Sequence, residues 1–139
     1  GIQVSTFETS HPYGNNESVD WQIDLPGSEH LEIVFDGPSK TETNTDYVRF
    51  YTDMSKQTVI GCDRYTGRNG QENFPGQGNR PPLIFAGSKC VASFRSDATG
   101  TDWGVRFHVF GVAAAAATAE ASLGPAGCRR HAADLDLAL

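Results

Sequence analysis

The feature that most constrains this chain is a period-two alternation of apolar and polar side chains, repeated in short segments along most of its length. "WQIDL" sets Trp21, Ile23 and Leu25 against Gln22 and Asp24, and "LEIVF" puts Leu31, Ile33 and Phe35 on one face. "YVRFY" separates Val48 and Phe50 from Tyr47, Arg49 and Tyr51. "CVASF" groups Cys90, Ala92 and Phe94, and "WGVRFHVF" aligns Trp103, Val105, Phe107 and Val109. In an extended strand successive side chains point to opposite faces, so each segment predicts a strand with one buried face. The breaks between them, "PGSEH", "DGPSKTETN" and "RNGQENFPGQGNRPP", carry turn chemistry. Gly reaches positive φ, Pro fixes φ, and Asn and Asp bond their own backbone. Many short strands with no helix between them predict an all-β, antiparallel sandwich or barrel.

The pattern stops near residue 111. A chain of 139 residues has room for one domain with a core, over 1–111, and a tail, over 112–139. The tail opens "GVAAAAATAEASLGPAG", and the helix propensity of Ala predicts a short helix over 112–122. Gly124 would end it, and Pro125 could open a second helix through "CRRHAADLDLAL". An Ala-rich helix of this length is marginal alone in water. The tail therefore reads as a partly helical linker to a further domain, with a tolerated insertion as the alternative.

Charge and motifs exclude several function classes. A formal net charge of −6 argues against nucleic acid as a partner, and no apolar run approaches a membrane span. Cys62, Cys90 and Cys128 form no CxxC and no even-numbered framework, so three free thiols are expected. That favours an intracellular, cytoplasmic placement, with secretion as the alternative. The chain has no GxSxG elbow, HExxH or P-loop, and His11, His30, His108 and His131 lack a metal-ligand spacing. Cys90 alternates with core positions and reads as a structural thiol, not a nucleophile. Asp24 and Glu32 read as solvated charges on outer strand faces. The expectation is a non-catalytic domain.

The order of signals resembles the CUB domain, a β-sandwich module of about this size. "HPYGNNESVDW" is similar to that family's turn before its first long strand, and "IDLPG" to its I-x-x-P-G. "LEIVFDGPSKTE", "TDYVRFY" and "FRSDATGTDWGVRF" follow in the family's order, so the landmarks cover residues 6–110. The resemblance implies a jelly-roll type β-sandwich in which Tyr13 and Trp21 are core aromatics. The family's first motif cysteine is replaced by Val19 and another by Thr43, which would leave Cys62 without its usual partner. Similar disulfide-poor segments occur in large intracellular multidomain proteins.

The same resemblance implies a Ca2+ site at one end of the sandwich. Its ligands would be Glu42, Asp46 and Asp97, with backbone carbonyls around Thr99 and Gly100. Calcium takes six to eight oxygens, which carboxylates converging from separate loops can supply. Asp53 and Asp102 could line the same end, and Asp36 reads as a turn former. A protein partner would dock there through a basic side chain, against Asp97, Asp102 and Trp103. Two other readings are a carbohydrate-binding sandwich, with Trp103 or Tyr51 stacking on a glycan, and a purely structural domain.

Overall fold

Residues 2–114 are described by a computed structural model, and the alternating segments become strands as their pattern dictates. Eight strands run in order: β1 (Ile2–Glu8), β2 (Ser18–Asp24), β3 (Ser28–Phe35), β4 (Tyr47–Tyr51), β5 (Val59–Tyr65), β6 (Leu83–Ala86), β7 (Lys89–Arg95) and β8 (Arg106–Ala113). They form two four-stranded sheets with the orders β1-β8-β3-β6 and β2-β7-β4-β5, all neighbours antiparallel. The fold is the expected all-β antiparallel sandwich, with no helix among the described residues.

Register brings the apolar positions together. Leu31, Ile33 and Phe35 of β3 lie opposite Gly111, Val109 and Phe107 of β8. In the other sheet Ile23 and Trp21 of β2 face Cys90 and Ala92 of β7, and Phe50 of β4 also pairs with Ala92. The two inner faces close on an aromatic centre. Phe107 has no exposed surface and meets Phe7, Trp21, Phe35 and Phe50 at ring-centroid distances of 5.5, 5.5, 5.0 and 5.4 Å. Such ring pairs add about 0.5–1.5 kcal/mol each beyond the area they bury. Tyr13 is buried as expected, and Trp21 packs against the core as expected while remaining partly exposed beside Phe7.

Three expectations are corrected here. Trp103 is not part of the last strand: it lies in a bend, followed by Gly104, which bridges to Lys40. β8 continues through Ala113, so residues 112 and 113, assigned to a helix, are strand. The preceding strand register with β1 and β3 reaches Val112, and that pairing overrides the local propensity of Ala. The rest of the tail, Cys128 included, lies outside the described residues. Finally, Cys90 is free and buried, but Cys62 is disulfide-bonded, so the expectation of three free thiols fails at Cys62.

Candidate metal centre

The site grows out of the β4–β7 pairing. Tyr47 opens β4 opposite Arg95, the last residue of β7. The residues just beyond this pair, Asp46 and Asp97, are therefore brought side by side at one end of the sheet. The Asp97 amide donates to Asp46 Oδ1 at 2.9 Å. Glu42 arrives through the turn before β4. The Asp46 amide donates to the Glu42 carbonyl at 3.2 Å, and Asn44 takes a left-handed φ of 70° that Asn tolerates well. Thr66, the residue after β5, holds this turn: its hydroxyl donates to the Asp46 carbonyl at 2.6 Å and accepts from the Asn44 amide at 3.0 Å.

Tyr13 ties the arrangement to the core. Its ring is buried edge-on against Phe94 at 5.0 Å. Its hydroxyl donates to Asp46 Oδ2 at 2.7 Å and accepts from the Glu42 amide at 3.0 Å. Glu42 Oε1 accepts from the Thr45 hydroxyl at 2.7 Å, and Asp97 Oδ1 from the Thr99 amide at 3.3 Å. A Cβ at Gly100 would overlap the Glu42 carboxylate, and its φ of 87° also suits glycine. One carboxylate oxygen from each of Glu42, Asp46 and Asp97 lies within 4.8 Å of the others. That is about twice a Ca–O distance of 2.3–2.6 Å, so one calcium ion could touch all three.

Electrostatically the cluster is an excess of negative charge, with the Arg68 guanidinium close enough to feel Glu42 but ion-paired to Asp102. Asp46 is fully buried, and burial, first, holds its carboxyl above the ordinary range. The charges of Asp97 and Glu42 push in the same direction, while the Tyr13 hydroxyl and Asp97 amide oppose them. Burial, first, also raises the Tyr13 phenol well above its ordinary value, with the Asp46 carboxylate adding to it. Among the described residues none of the three acids has a basic partner in an ion pair. Close anions without a cation repel one another, and an all-oxygen set of this kind fits a hard divalent ion.

The other expected residues fall differently. Thr99 and Asp97 share one exposed loop. Asp102 is ion-paired with Arg68 at 3.1 Å, and its carbonyl accepts from the Tyr13 amide at 3.4 Å, so it braces the loop from behind. Asp53 lies past the opposite end of β4 and caps its own turn by accepting from the Ser55 amide at 2.9 Å. It does not line the metal end. Asp36 is more than a turn former, since it accepts from Arg106 Nε and from His108 Nε2. Trp103 has one ring face covered by His11, stacked at 3.7 Å, and Tyr51 is only 9% exposed. The residue that sequence reasoning undervalued is Tyr13, read as packing alone. A Tyr where a Phe would fill the same space is the available signal, because a buried hydroxyl needs a partner.

No family model matches the chain. It is 29% identical over 109 residues to human zinc finger ZZ-type and EF-hand domain-containing protein 1, covering 78% of this chain and 3% of that protein. It is 27% identical over 118 residues to the human E3 ubiquitin-protein ligase HERC2, covering 85% of this chain and 2% of the relative. The chain thus spans only a small part of the curated relatives it matches. Among solved structures, the CUB1-EGF-CUB2 region of human MASP-1/3 superposes with a TM-score of 0.65 at 22% identity, over 80% of this chain and 42% of that one. The MASP-1 CUB2 domain bound to Ca2+ gives a TM-score of 0.55 at 18% identity, over 76% of this chain and 90% of that one. With two antiparallel four-stranded sheets in this order and these structural neighbours, the chain has the CUB fold.

Proposed function

We propose that this chain is a non-catalytic, calcium-binding interaction module of a longer protein. The observation that carries the reading is the convergence of Glu42, Asp46 and Asp97 within 4.8 Å, with Asp46 buried and no ion pair to any of them from a basic side chain among the described residues. Glu42, Asp46 and Asp97 would hold the ion, with a carbonyl from the Thr99–Gly100 loop completing the set. The ion supplies positive charge that relieves the repulsion among the three carboxylates and joins the 42–46 turn to the 96–103 loop. Tyr13 holds Asp46 and the Glu42 amide in place whether or not an ion is present.

A protein partner docks at this end through a Lys or Arg side chain that approaches the exposed Asp97. Asp102 and Trp103 support that surface from behind, because their own polar or ring contacts are already made to Arg68 and His11. The relatives match over a few per cent of their own length, which supports a module in a multidomain chain, with the segment after residue 114 leading to a further domain. An intracellular placement, with secretion as the alternative, belongs to the same reading, and the disulfide at Cys62 is the observation that favours the alternative.

Calorimetric titration tests the metal reading. Calcium should bind at one site, magnesium much more weakly because it prefers a tight octahedral shell and keeps its waters. Asp97→Asn should weaken calcium at least tenfold while leaving the far-ultraviolet spectrum unchanged. Absence of calcium heat and of any calcium-dependent rise in melting temperature would reject it.

A further inference from the structure

The four sheet edges of this sandwich are not protected alike. β6 has only four residues and follows Pro81 and Pro82. β5 is bulged against β4, has Gly61 at a φ of 77° and exposes Asp63 beside Arg64. β2 carries Asp20 and Asp24, and Asp20 is ion-paired to both Lys56 and Arg95 at 3.0 Å. Short length, proline, bulges and charge are the devices by which proteins prevent an edge from pairing with another chain. β1 has none of them. It pairs with β8 in unbroken register along all seven residues, contains no Pro, Lys or Arg, and has a single acid, Glu8, at its end. That acid is bonded to His11 Nε2 at 2.7 Å.

Large apolar side chains lie on both sides of the same edge. Ile2 and Val4 are 70% and 57% exposed, the most exposed large apolar side chains among the described residues. They continue onto Val112 and Phe110, their cross-strand partners on the outer face of β8. Toward the inside, Phe7 and Trp21 are core aromatics that remain only partly covered at this side of the sandwich.

We infer that the β1 edge pairs antiparallel with β1 of a second copy, joining two sheets across a two-fold axis at Ser5. The strand is self-complementary in that register. Ser5 meets Ser5 of the second copy, Val4 meets Thr6, Gln3 meets Phe7 and Ile2 meets Glu8. No two like charges are opposed, a contact that matters in a chain of net charge −6. The outer face gains a continuous apolar strip from Ile2 and Val4 of both copies, and the inner side covers Phe7 and Trp21. One seven-residue strand per copy is a small contact beside the roughly 1,200–2,000 Å² of a standard interface, so the dimer is weak and concentration-dependent.

Sedimentation velocity of the full chain tests this between about 5 μM and 1 mM, in calcium and in chelator. The expected result is a monomer at the low end and a growing dimer at the high end, the same in both conditions. Val4→Lys places two ammonium groups diagonally across the axis and should raise the dimer dissociation constant at least tenfold with no change in melting temperature, because Val4 is exposed. Met54→Lys, at another exposed apolar residue, should leave association unchanged. Ser5→Cys should cross-link into a covalent dimer under mild oxidation. A chain that stays monomeric throughout overturns the inference. So does association that needs calcium, that Met54→Lys weakens equally, or that leaves Ser5→Cys uncross-linked.

Discussion

Asp46→Asn separates a structural acid from a metal ligand, because it should move stability in opposite directions with and without calcium. In chelator, wild type holds a buried carboxylate whose nearest acidic neighbours lie within 4.8 Å. Coulomb repulsion at that distance is about 1 kcal/mol per pair at the dielectric of water and about 3.5 kcal/mol at an effective value of 20. Glu42 and Asp97 reach solvent, so the lower figure applies, and two pairs give about 2 kcal/mol. Asn removes this charge and keeps one acceptor for the Asp97 amide. It loses the charge-assisted bond from Tyr13, which costs about 1.5–3 kcal/mol, but it also no longer buries a charge, which returns about as much again. Because the Asp46 carboxyl is raised on balance, the sign favours the neutral side chain, and the variant is about 1 kcal/mol more stable than wild type without metal, or about 3–5 °C in melting temperature. In calcium at a hundred times its dissociation constant, wild type gains about 2.7 kcal/mol and the variant little. The order of the two melting curves should therefore cross. Scanning calorimetry of both proteins in chelator and in millimolar calcium reads this directly. If calcium shifts both proteins equally, Asp46 is not a ligand. If the variant is less stable in chelator, the hydrogen bonds from Tyr13 and Asp97 outweigh the charge, and the electrostatic argument fails.

Phe107→Ala should cost about 3–5 kcal/mol in urea unfolding, since it empties the fully buried meeting point of four other aromatic rings; a loss under about 1 kcal/mol would mean the centre collapses onto the gap. Burial pushes the Cys90 thiol up to about 12, so a thiol reagent at pH 8 should modify Cys90 only after unfolding, as peptide mapping can show. Asp20 is held down at about 2, first by the Ser93 hydroxyl at 2.6 Å, against burial, with help from Lys56 and Arg95. A depressed carboxyl stabilises the fold above its unfolded value near 4 and loses that contribution as pH falls toward 2. With this carboxylate partly exposed the amount is about 1 kcal/mol, and Asp20→Asn should flatten the acid limb of the stability–pH curve by that much.

The strands legible in the sequence are those where a buried face alternates with a polar one. β2, β3, β4, β7 and the body of β8 all qualify, and the alternation predicts each of them. β5 does not qualify, because its register against β4 shifts between Ile60 and Tyr65 and breaks the period. β6 is too short to show a period. β1 shows one but inverts its meaning: Ile2 and Val4 face solvent, while Ser5 and Phe7 turn inward. Alternation tells which residues share a face. It does not tell which face is buried when the strand lies at an edge and has only one neighbour.

The acids of the candidate site divide by the same logic. Asp46 and Asp97 adjoin the ends of two strands that pair directly, so any register that buries Val48 and Phe50 against Ala92 and Phe94 also brings these acids together. Their proximity is thus a consequence of the core pattern, readable once β4 and β7 are placed side by side. Glu42 depends on the 42–46 turn, and the features that fix it, the Thr66 hydroxyl and the Tyr13 hydroxyl, come from residues 20 to 33 positions away. No local pattern encodes those bonds. The disulfide at Cys62 was illegible for a related reason, because pairing follows from the three-dimensional path of the chain and not from spacing. Tyr13 therefore links the two levels: its ring belongs to the pattern that builds the sandwich, and its hydroxyl holds the one acid that the sandwich buries. Tyr13→Phe should accordingly leave the packing in place, raise the Asp46 pKa further by removing a donor, and weaken calcium binding through a more mobile Glu42 turn. A calcium affinity unchanged in Tyr13→Phe would show that the turn is positioned by Thr66 alone.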